Sequence, residues 1–259
     1  MKGIIFDLDE TLIQFGGDWE QVARAGAEAM ADWYLKKKHI KLDGPALIET
    51  FLAERAAAQE IAGQTQMEII AQQSLRAALQ KIEASPNTGA LVEAAIKVFF
   101  EPEEAAWSPD PEAVETLKLL KSQGYRVGLY ANISDDSLCQ RLINRSGLRP
   151  WLSPTFSSAG WGWRKPKREA FELIAGRWGL PATEIVGVGD SLQTDIWGAD
   201  QAGMATIWLN RSETPADSAN HPLQPTAVIK RLSALPEIMA HGLNRISEYD
   251  PSSLYRPSN

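Results

Sequence analysis

The stretch GIIFDLDET, residues 3–11, is the most informative part of this sequence. It opens with a short, apolar, β-branched run that is typical of a buried strand. The run stops at two carboxylates, Asp7 and Asp9, which are separated by one leucine. Ligands of open parallel sheets bind at the carboxyl ends of the strands, so we expect these acids to hold a cation or to transfer protons there. Taken alone, the stretch leaves open that Asp9 is only a turn acid and Thr11 only a cap.

The sequence that follows changes character from about Asp18 to Glu104. It is rich in alanine, its apolar residues have helical spacing, and it contains no good strand candidate. Its breaks are short and polar, at 39–44, 63–65 and 85–87. This pattern predicts four helices packed as a bundle. We therefore expect a helical cap domain over residues 16–105, inserted into a core made of residues 1–15 and 106–240.

Beyond residue 106 the pattern alternates between strands and helices. This alternation predicts βαβ crossovers and an α/β fold with a Rossmann-like open parallel sheet. No fold is assigned to residues 241–259, which are polar and contain proline and serine. Besides the first strand, strands are expected at 125–132, 155–158, 184–190 and 204–210, with a last short strand and helix within 226–239.

The composition limits the classes of function. The chain has 259 residues, a formal net charge of -7 and a pI near 5.1. This charge argues against binding to nucleic acid or to an anionic membrane, because both favour a basic surface. The only cysteine is Cys139, which fits a reducing compartment, and no apolar run is long enough to span a bilayer. These features predict a cytoplasmic enzyme or binding protein and leave the oligomeric state open.

Two more predicted strands end in polar residues, at Asn132 and Asp190. If these strands are neighbours of the first one, their ends converge with Asp7 and Asp9. Carboxylates held close together repel one another, and a divalent cation is the usual compensation. Oxygen ligands of this kind fit Mg²⁺.

These motifs together resemble those of the haloacid dehalogenase-like (HAD) superfamily. The carrying features are FDLDET at 6–11, strand-end Asn132, Lys165 in GWRKP, and VGVGDSLQTD at 186–195. Their order and the position of the helical insertion match as well. The resemblance implies the HAD fold with an inserted four-helix cap, phosphatase branch, and Mg²⁺ as the cofactor.

The resemblance also implies a role for each matching residue. Asp7 is expected to be the nucleophile that forms an aspartyl-phosphate, and Asp9 the group that protonates the leaving oxygen and then activates water. Asp7, Asp190 and the backbone carbonyl of Asp9 are expected to ligate Mg²⁺. The remaining implied roles are charge balance and phosphate binding for Lys165, orientation of Lys165 or of a metal-bound water for Asp195, and support from Thr11 and Ser191.

The sequence departs from the family pattern at Ala131. The family normally has a serine or threonine there, whose hydroxyl binds the transferring phosphate. We expect Ser134, or the backbone amides of Asn132 and Ile133, to take over this contact. The loss of one hydrogen bond to a charged group would cost about 1.5–3 kcal/mol. For Ser191 a role as helix N-cap is as plausible as a role as ligand.

Asp9 favours phosphate chemistry, because an acid that protonates an alkoxide has no task when a halide leaves. A helical lid favours a small phosphorylated metabolite of the sugar-phosphate, nucleotide or phosphoglycolate type. The alternatives are a phosphomutase or dehalogenase on the same scaffold, or a catalytically weakened HAD-like binding protein. Arginines on the cap helices, Arg24, Arg55 and Arg76, are more typical of an exposed surface than of a substrate contact.

Overall fold

The computed structural model describes residues 1–84, 88–211 and 224–243. Six strands form one parallel sheet in the order β5-β4-β1-β6-β7-β8, and two more form a separate antiparallel pair, β2-β3. The predicted open parallel sheet is confirmed. The strands are β1 (Gly3–Phe6), β2 (Ile13–Phe15), β3 (Trp107–Pro109), β4 (Arg126–Ala131), β5 (Thr155–Ser157), β6 (Ile185–Gly189), β7 (Ala205–Leu209) and β8 (Ala227–Ile229).

The α-helices follow the predicted pattern of a helical insertion and then alternation with strands. The insertion holds α1 (Trp19–Asp32), α2 (Gly44–Thr65), α3 (Ala71–Lys81), α4 (Gly89–Phe99) and α5 (Glu101–Ala106). The rest are α6 (Ala113–Ser122), α7 (Asp136–Arg145), α8 (Ser158–Trp161), α9 (Arg168–Trp178), α10 (Trp197–Gln201) and α11 (Leu235–His241). Among the described residues, no helix is both long and apolar enough to cross a membrane.

The sheet is buried on both faces, as expected for parallel strands covered by helices. Side chains alternate along β1. Ile4 and Phe6 belong to a large apolar cluster that extends into the helices of the insertion, whereas Ile5 belongs to the cluster on the opposite face. On that face it joins residues of α9 and α10, such as Phe171 and Ala199.

The chain enters and leaves the helical insertion through β2 and β3, which pair with each other. This antiparallel pair was not predicted. Its aromatic residues cluster with the first residue of α1: Phe15 stacks on Trp19 with centroids 3.7 Å apart, and Trp107 lies 5.1 Å from Phe15. The insertion also contains the short fifth helix α5, which the predicted four-helix bundle lacks. The division at residues 15/16 and 105/106 stays a prediction.

The strand order places the sequence motifs side by side. β1 lies between β4 and β6, so Asp7, Asn132 and Asp190 each follow the end of one of three adjacent strands. The strands themselves stop one residue earlier, at Phe6, Ala131 and Gly189, respectively. The convergence expected from the sequence is therefore present. Most of the expected C-terminal segment, residues 244–259, lies outside the described residues.

Candidate active site

Asp7 is the first residue beyond β1, and its backbone makes one more hydrogen bond to the neighbouring strand β6. Its amide donates to the Val188 carbonyl at 3.0 Å. The chain then turns sharply around the Leu8 carbonyl, which accepts from the amides of Thr11, Leu12 and Ile13. Buried Leu8 and Leu12 anchor this turn. It presents the side chains of Asp7 and Asp9 at the carboxyl edge of the sheet.

Lys165 is the cation nearest to Asp7. Its side chain is only 3% exposed, and its Nζ bonds Asp7 Oδ1 and lies 2.7 Å from Asp195 Oδ1. Lys165 is therefore not an exposed loop lysine. Burial alone would lower the pKa of Lys165, but Asp195 and Asp7 hold it above its ordinary value. Lys165 is therefore a fixed positive charge at neutral pH.

Asn132 holds the loop that carries this lysine. Its Oδ1 accepts from the Lys165 amide at 2.8 Å, and its Nδ2 donates to the Lys165 carbonyl at 2.9 Å. The Asn132 side chain is thus engaged with the backbone of Lys165. Ala131, at the position of the missing hydroxyl, is fully buried at the end of β4. Ser134 is half-buried, and its carbonyl accepts from the Ala71 amide at 2.9 Å.

Asp190 and Asp195 are arranged by the turn that follows β6. Ser191 caps this turn, since its hydroxyl accepts from the Thr194 amide at 3.3 Å. In return Asp195 Oδ2 accepts from the Ser191 amide at 3.1 Å. The predicted N-cap role of Ser191 is therefore observed. A Cβ at Gly189 would lie 2.3 Å from Asp195 Oδ2, so only glycine permits this close approach.

The site carries more negative than positive charge. Burial, and next the charge of Glu103, raise the pKa of Asp9 to about 7, although Lys165 opposes this. Burial and the neighbouring Asp195 raise the pKa of Asp190 to about 6. Burial also raises the pKa of Asp7 well above its usual range. A buried carboxyl with a pKa near 7 can both give and take a proton at neutral pH.

These carboxylates fit a divalent cation. Asp7, Asp190 and Asp195 each place one oxygen within 4.8 Å of the other two. Asp195 is also engaged by Lys165, whereas the Asp190 carboxylate accepts a long hydrogen bond from the Thr11 hydroxyl at 3.5 Å. An all-oxygen set with excess negative charge suits a hard cation. Asp7 and Asp190 are accordingly the side chains best placed to hold one.

The loop between α2 and α3 closes the site from the cap side. Glu68 on this loop is 2% exposed, and its carboxylate bonds Arg164 at 2.6 Å and the Ser158 hydroxyl. The Arg164 amide donates in turn to the Gln66 carbonyl at 2.9 Å. These contacts join the cap loop directly to the segment that carries Lys165.

Sequence reasoning missed part of the cap side. Arg55 was expected at an exposed surface, and this was wrong: its guanidinium lies over the rings of Phe99 and Phe100. Helical spacing was the available signal for this position, because Arg55 continues the buried stripe of α2. Arg24 is largely exposed, as expected, and pairs with Glu49.

The comparison with protein families decides the kinship of this chain. The family model of haloacid dehalogenase-like hydrolases matches residues 1–203. The chain belongs to this family. The HAD fold and the expectation of an enzyme are thereby confirmed.

Relatives of this HAD-like hydrolase include phosphatases. It is 27% identical over 219 residues to a glyceraldehyde 3-phosphate phosphatase of Methanopyrus kandleri, covering 82% of this chain and 85% of that protein. It is 29% identical over 213 residues to a ribulose-1,5-bisphosphate 5-phosphatase of Halopiger xanaduensis, covering 81% and 85%. Among solved structures, a 2-haloacid dehalogenase from Pseudomonas syringae is 27% identical, with a TM-score of 0.70 over 93% of this chain and 99% of that one.

Proposed function

We propose that this HAD-like hydrolase is a Mg²⁺-dependent phosphatase of a small phosphorylated metabolite of the sugar-phosphate type, acting in the cytoplasm through an aspartyl-phosphate on Asp7. The observation that carries the proposal is the pair of carboxyl groups at the end of β1. Asp7 is bonded to a buried lysine, and Asp9 is a half-buried acid with a pKa raised to about 7. The relatives named above support a sugar phosphate as the substrate class.

In the first step, an oxygen of Asp7 attacks the phosphorus while the bond from phosphorus to the leaving oxygen breaks. Asp9 gives its proton to that leaving oxygen, so that an alcohol departs rather than an alkoxide. Lys165 favours the ionised form of Asp7 against the effect of burial and faces the negative charge of the phosphoryl group. The product of this step is a phosphoryl group bonded to Asp7.

In the second step, Asp9 takes a proton from water, and the water oxygen attacks phosphorus. The bond from phosphorus to Asp7 breaks, which releases phosphate and restores both carboxyl groups. Asp7, Asp190 and the carbonyl of Asp9 would hold Mg²⁺, which when bound supplies positive charge to the phosphoryl oxygens. Asn132 and Asp195 fix the position of Lys165 throughout.

Dehalogenation is the second candidate, because one similar structure is a dehalogenase. That reaction uses an aspartate to attack carbon and releases a halide, which needs no proton donor. The half-buried, protonatable Asp9 favours phosphate chemistry instead.

The test is release of phosphate from p-nitrophenyl phosphate with and without Mg²⁺. We expect activity that requires Mg²⁺ and is lost in Asp7→Asn, while Asp200→Asn, a charge-matched change at an exposed residue of α10, retains it. Activity in Asp7→Asn equal to that of the wild type would rule out Asp7 as the nucleophile. Release of halide from a 2-haloacid without any phosphatase activity would favour the second candidate.

A further inference from the structure

Arg55 is a half-buried arginine on α2 that lacks part of its hydrogen bonding. Its guanidinium carbon lies 4.7 Å from the ring centroid of Phe99 and 5.1 Å from that of Phe100. Its Nη1 is buried and has no hydrogen-bond partner among the described residues. An unpaired buried donor on a charged group is costly, so an arginine kept in this position points to a ligand.

The carboxylates around Arg55 come from different elements that meet at the carboxyl edge of the sheet. Burial lowers the pKa of Arg55, while Glu103 of α5, Glu68 of the cap loop and Asp135 before α7 raise it. Asp135 lies three residues beyond Asn132. Arg55 thus interacts with carboxylates of the cap and with one that follows Asn132 beside the candidate active site.

Glu103 connects Arg55 with Asp9. Of the neighbouring charges, it is the one that acts most strongly on Asp9, and Arg55 is the charge that acts most strongly on Glu103. Asp9 Oδ1 is itself buried and without a partner among the described residues. Arg55 and Asp9, each with one unpaired buried polar atom, thus both interact electrostatically with Glu103.

We propose that Arg55 and Glu103 bind the leaving-group end of the substrate, and that this end is an uncharged chain bearing hydroxyl or carbonyl oxygens. The proposal rests on the function proposed above, in which Asp9 protonates the leaving oxygen. The atoms attached to that oxygen then lie beside Glu103 and extend toward Arg55. A guanidinium donates to carbonyl and hydroxyl oxygens, and a carboxyl group accepts from hydroxyls.

The charges around Arg55 disfavour a second anionic group at this end. Glu68 is paired with Arg164, but Glu103 and Asp135 have no arginine or lysine within salt-bridge distance among the described residues. Asp135 instead accepts from the Leu138 amide and from Gln72. A carboxylate or second phosphate would meet this excess of negative charge, which makes binding less favourable.

The substrate class is thereby narrowed. Two relatives are named for glyceraldehyde 3-phosphate and for ribulose 1,5-bisphosphate. The first compound has a neutral tail, whereas the second has another phosphate. Arg55 and Glu103 favour the first kind. They also disfavour 2-phosphoglycolate, whose tail is a carboxylate.

The experiment measures kcat/KM with Mg²⁺ for glyceraldehyde 3-phosphate, 2-phosphoglycolate and p-nitrophenyl phosphate. The wild type is expected to prefer glyceraldehyde 3-phosphate over 2-phosphoglycolate by about tenfold or more. Arg55→Met, which keeps an apolar stem against the phenylalanines, should lower kcat/KM for glyceraldehyde 3-phosphate about ten- to a hundredfold, and by more than for p-nitrophenyl phosphate. Glu103→Gln should shift the preference toward 2-phosphoglycolate.

The matched control is Arg24→Met, which removes a cap arginine that pairs at the surface with Glu49 and should leave the substrate ratios unchanged. A second readout is calorimetric binding of glyceraldehyde 3-phosphate to the Asp7→Asn protein, which should weaken about tenfold or more on adding Arg55→Met. Equal substrate ratios in wild type and Arg55→Met, or a wild-type preference for 2-phosphoglycolate, would overturn the inference while Mg²⁺-dependent turnover of p-nitrophenyl phosphate still supported the proposed function. No turnover of any of the three compounds would overturn the proposed function, and the inference with it.

Discussion

Replacing Asp190 with asparagine should stabilise the metal-free protein at neutral pH. The carboxylate of Asp190 lies in a buried, negatively charged site, which raises its pKa from 3.8 to about 6. Between these values the folded state binds a proton that the unfolded state has lost. Stability contributed by this group therefore falls as pH rises through that window and stays low above it.

The magnitude follows from the two pKa values. A pKa rise from 3.8 to about 6, at about 1.4 kcal/mol per unit, means that ionised Asp190 costs the folded state about 3 kcal/mol. Asparagine removes this charge and retains an oxygen for the Thr11 hydroxyl. Part of the strain is shared with Asp195, so we expect a gain in the free energy of unfolding of about 2–3 kcal/mol above pH 7. For a chain of this size, that is a rise in Tm of about 5–10 °C.

The assay is thermal unfolding in EDTA at pH 5 and pH 7.5, followed by circular dichroism. The gain in stability from Asp190→Asn should be full at pH 7.5 and fall to about half at pH 5, near the middle of the window between the two pKa values. Mg²⁺ at about a hundred times its Kd should raise the stability of the wild type by about 2.7 kcal/mol at pH 7.5 and that of the variant by much less. Asp200→Asn, on exposed surface, is the control and should show neither effect.

A variant that is less stable than the wild type in EDTA at pH 7.5 would refute this reasoning. It would mean that the Asp190 carboxylate is stabilised by its surroundings rather than strained. Equal gains from Mg²⁺ in both proteins would show that Asp190 does not hold the cation.

Two further variants test the parts that position Lys165 and close the cap. Asn132→Ala removes both hydrogen bonds to the Lys165 backbone, and we expect a loss of about 2 kcal/mol in stability with a fall in kcat of about tenfold or more; a kcat equal to that of the wild type would show that Lys165 holds its position unaided. Glu68→Gln weakens the pairing with Arg164, so the cap loop should open more often, with a rise in KM of about tenfold and faster hydrogen exchange over 66–70. Unchanged hydrogen exchange over this loop would contradict a role of the Glu68–Arg164 pair in holding it closed.

Where chemistry and topology coincide, the sequence predicted well which residues come together. Asp7, Asn132 and Asp190 follow strands whose apolar runs are short and well bounded, and parallel pairing must bring such strand ends to one edge. Lys165 was harder, because it lies on a loop with no periodic signal. It was found through its place in the motif order, and the structure shows it buried between two carboxylates.

The cap side was predicted less well, because long-range packing decides it. An arginine on an alanine-rich helix is usually solvated, and helical spacing alone did not show that Phe99 at the end of α4 and the adjacent Phe100 would cover Arg55. The antiparallel pair of β2 and β3 escaped prediction for a similar reason. Its two three-residue strands lie far apart in sequence, one on each side of the whole helical insertion.

The most direct test of the account is the mass of the Asp9→Asn protein after brief reaction with p-nitrophenyl phosphate and Mg²⁺. The nitrophenolate needs little help from an acid to leave, whereas release of phosphate from Asp7 needs Asp9 to activate water. After acid quenching and peptide mapping, we predict one phosphoryl group on the peptide that contains Asp7. Continued phosphate release with no phosphoryl adduct, or an adduct on another residue, would contradict the proposed nucleophile.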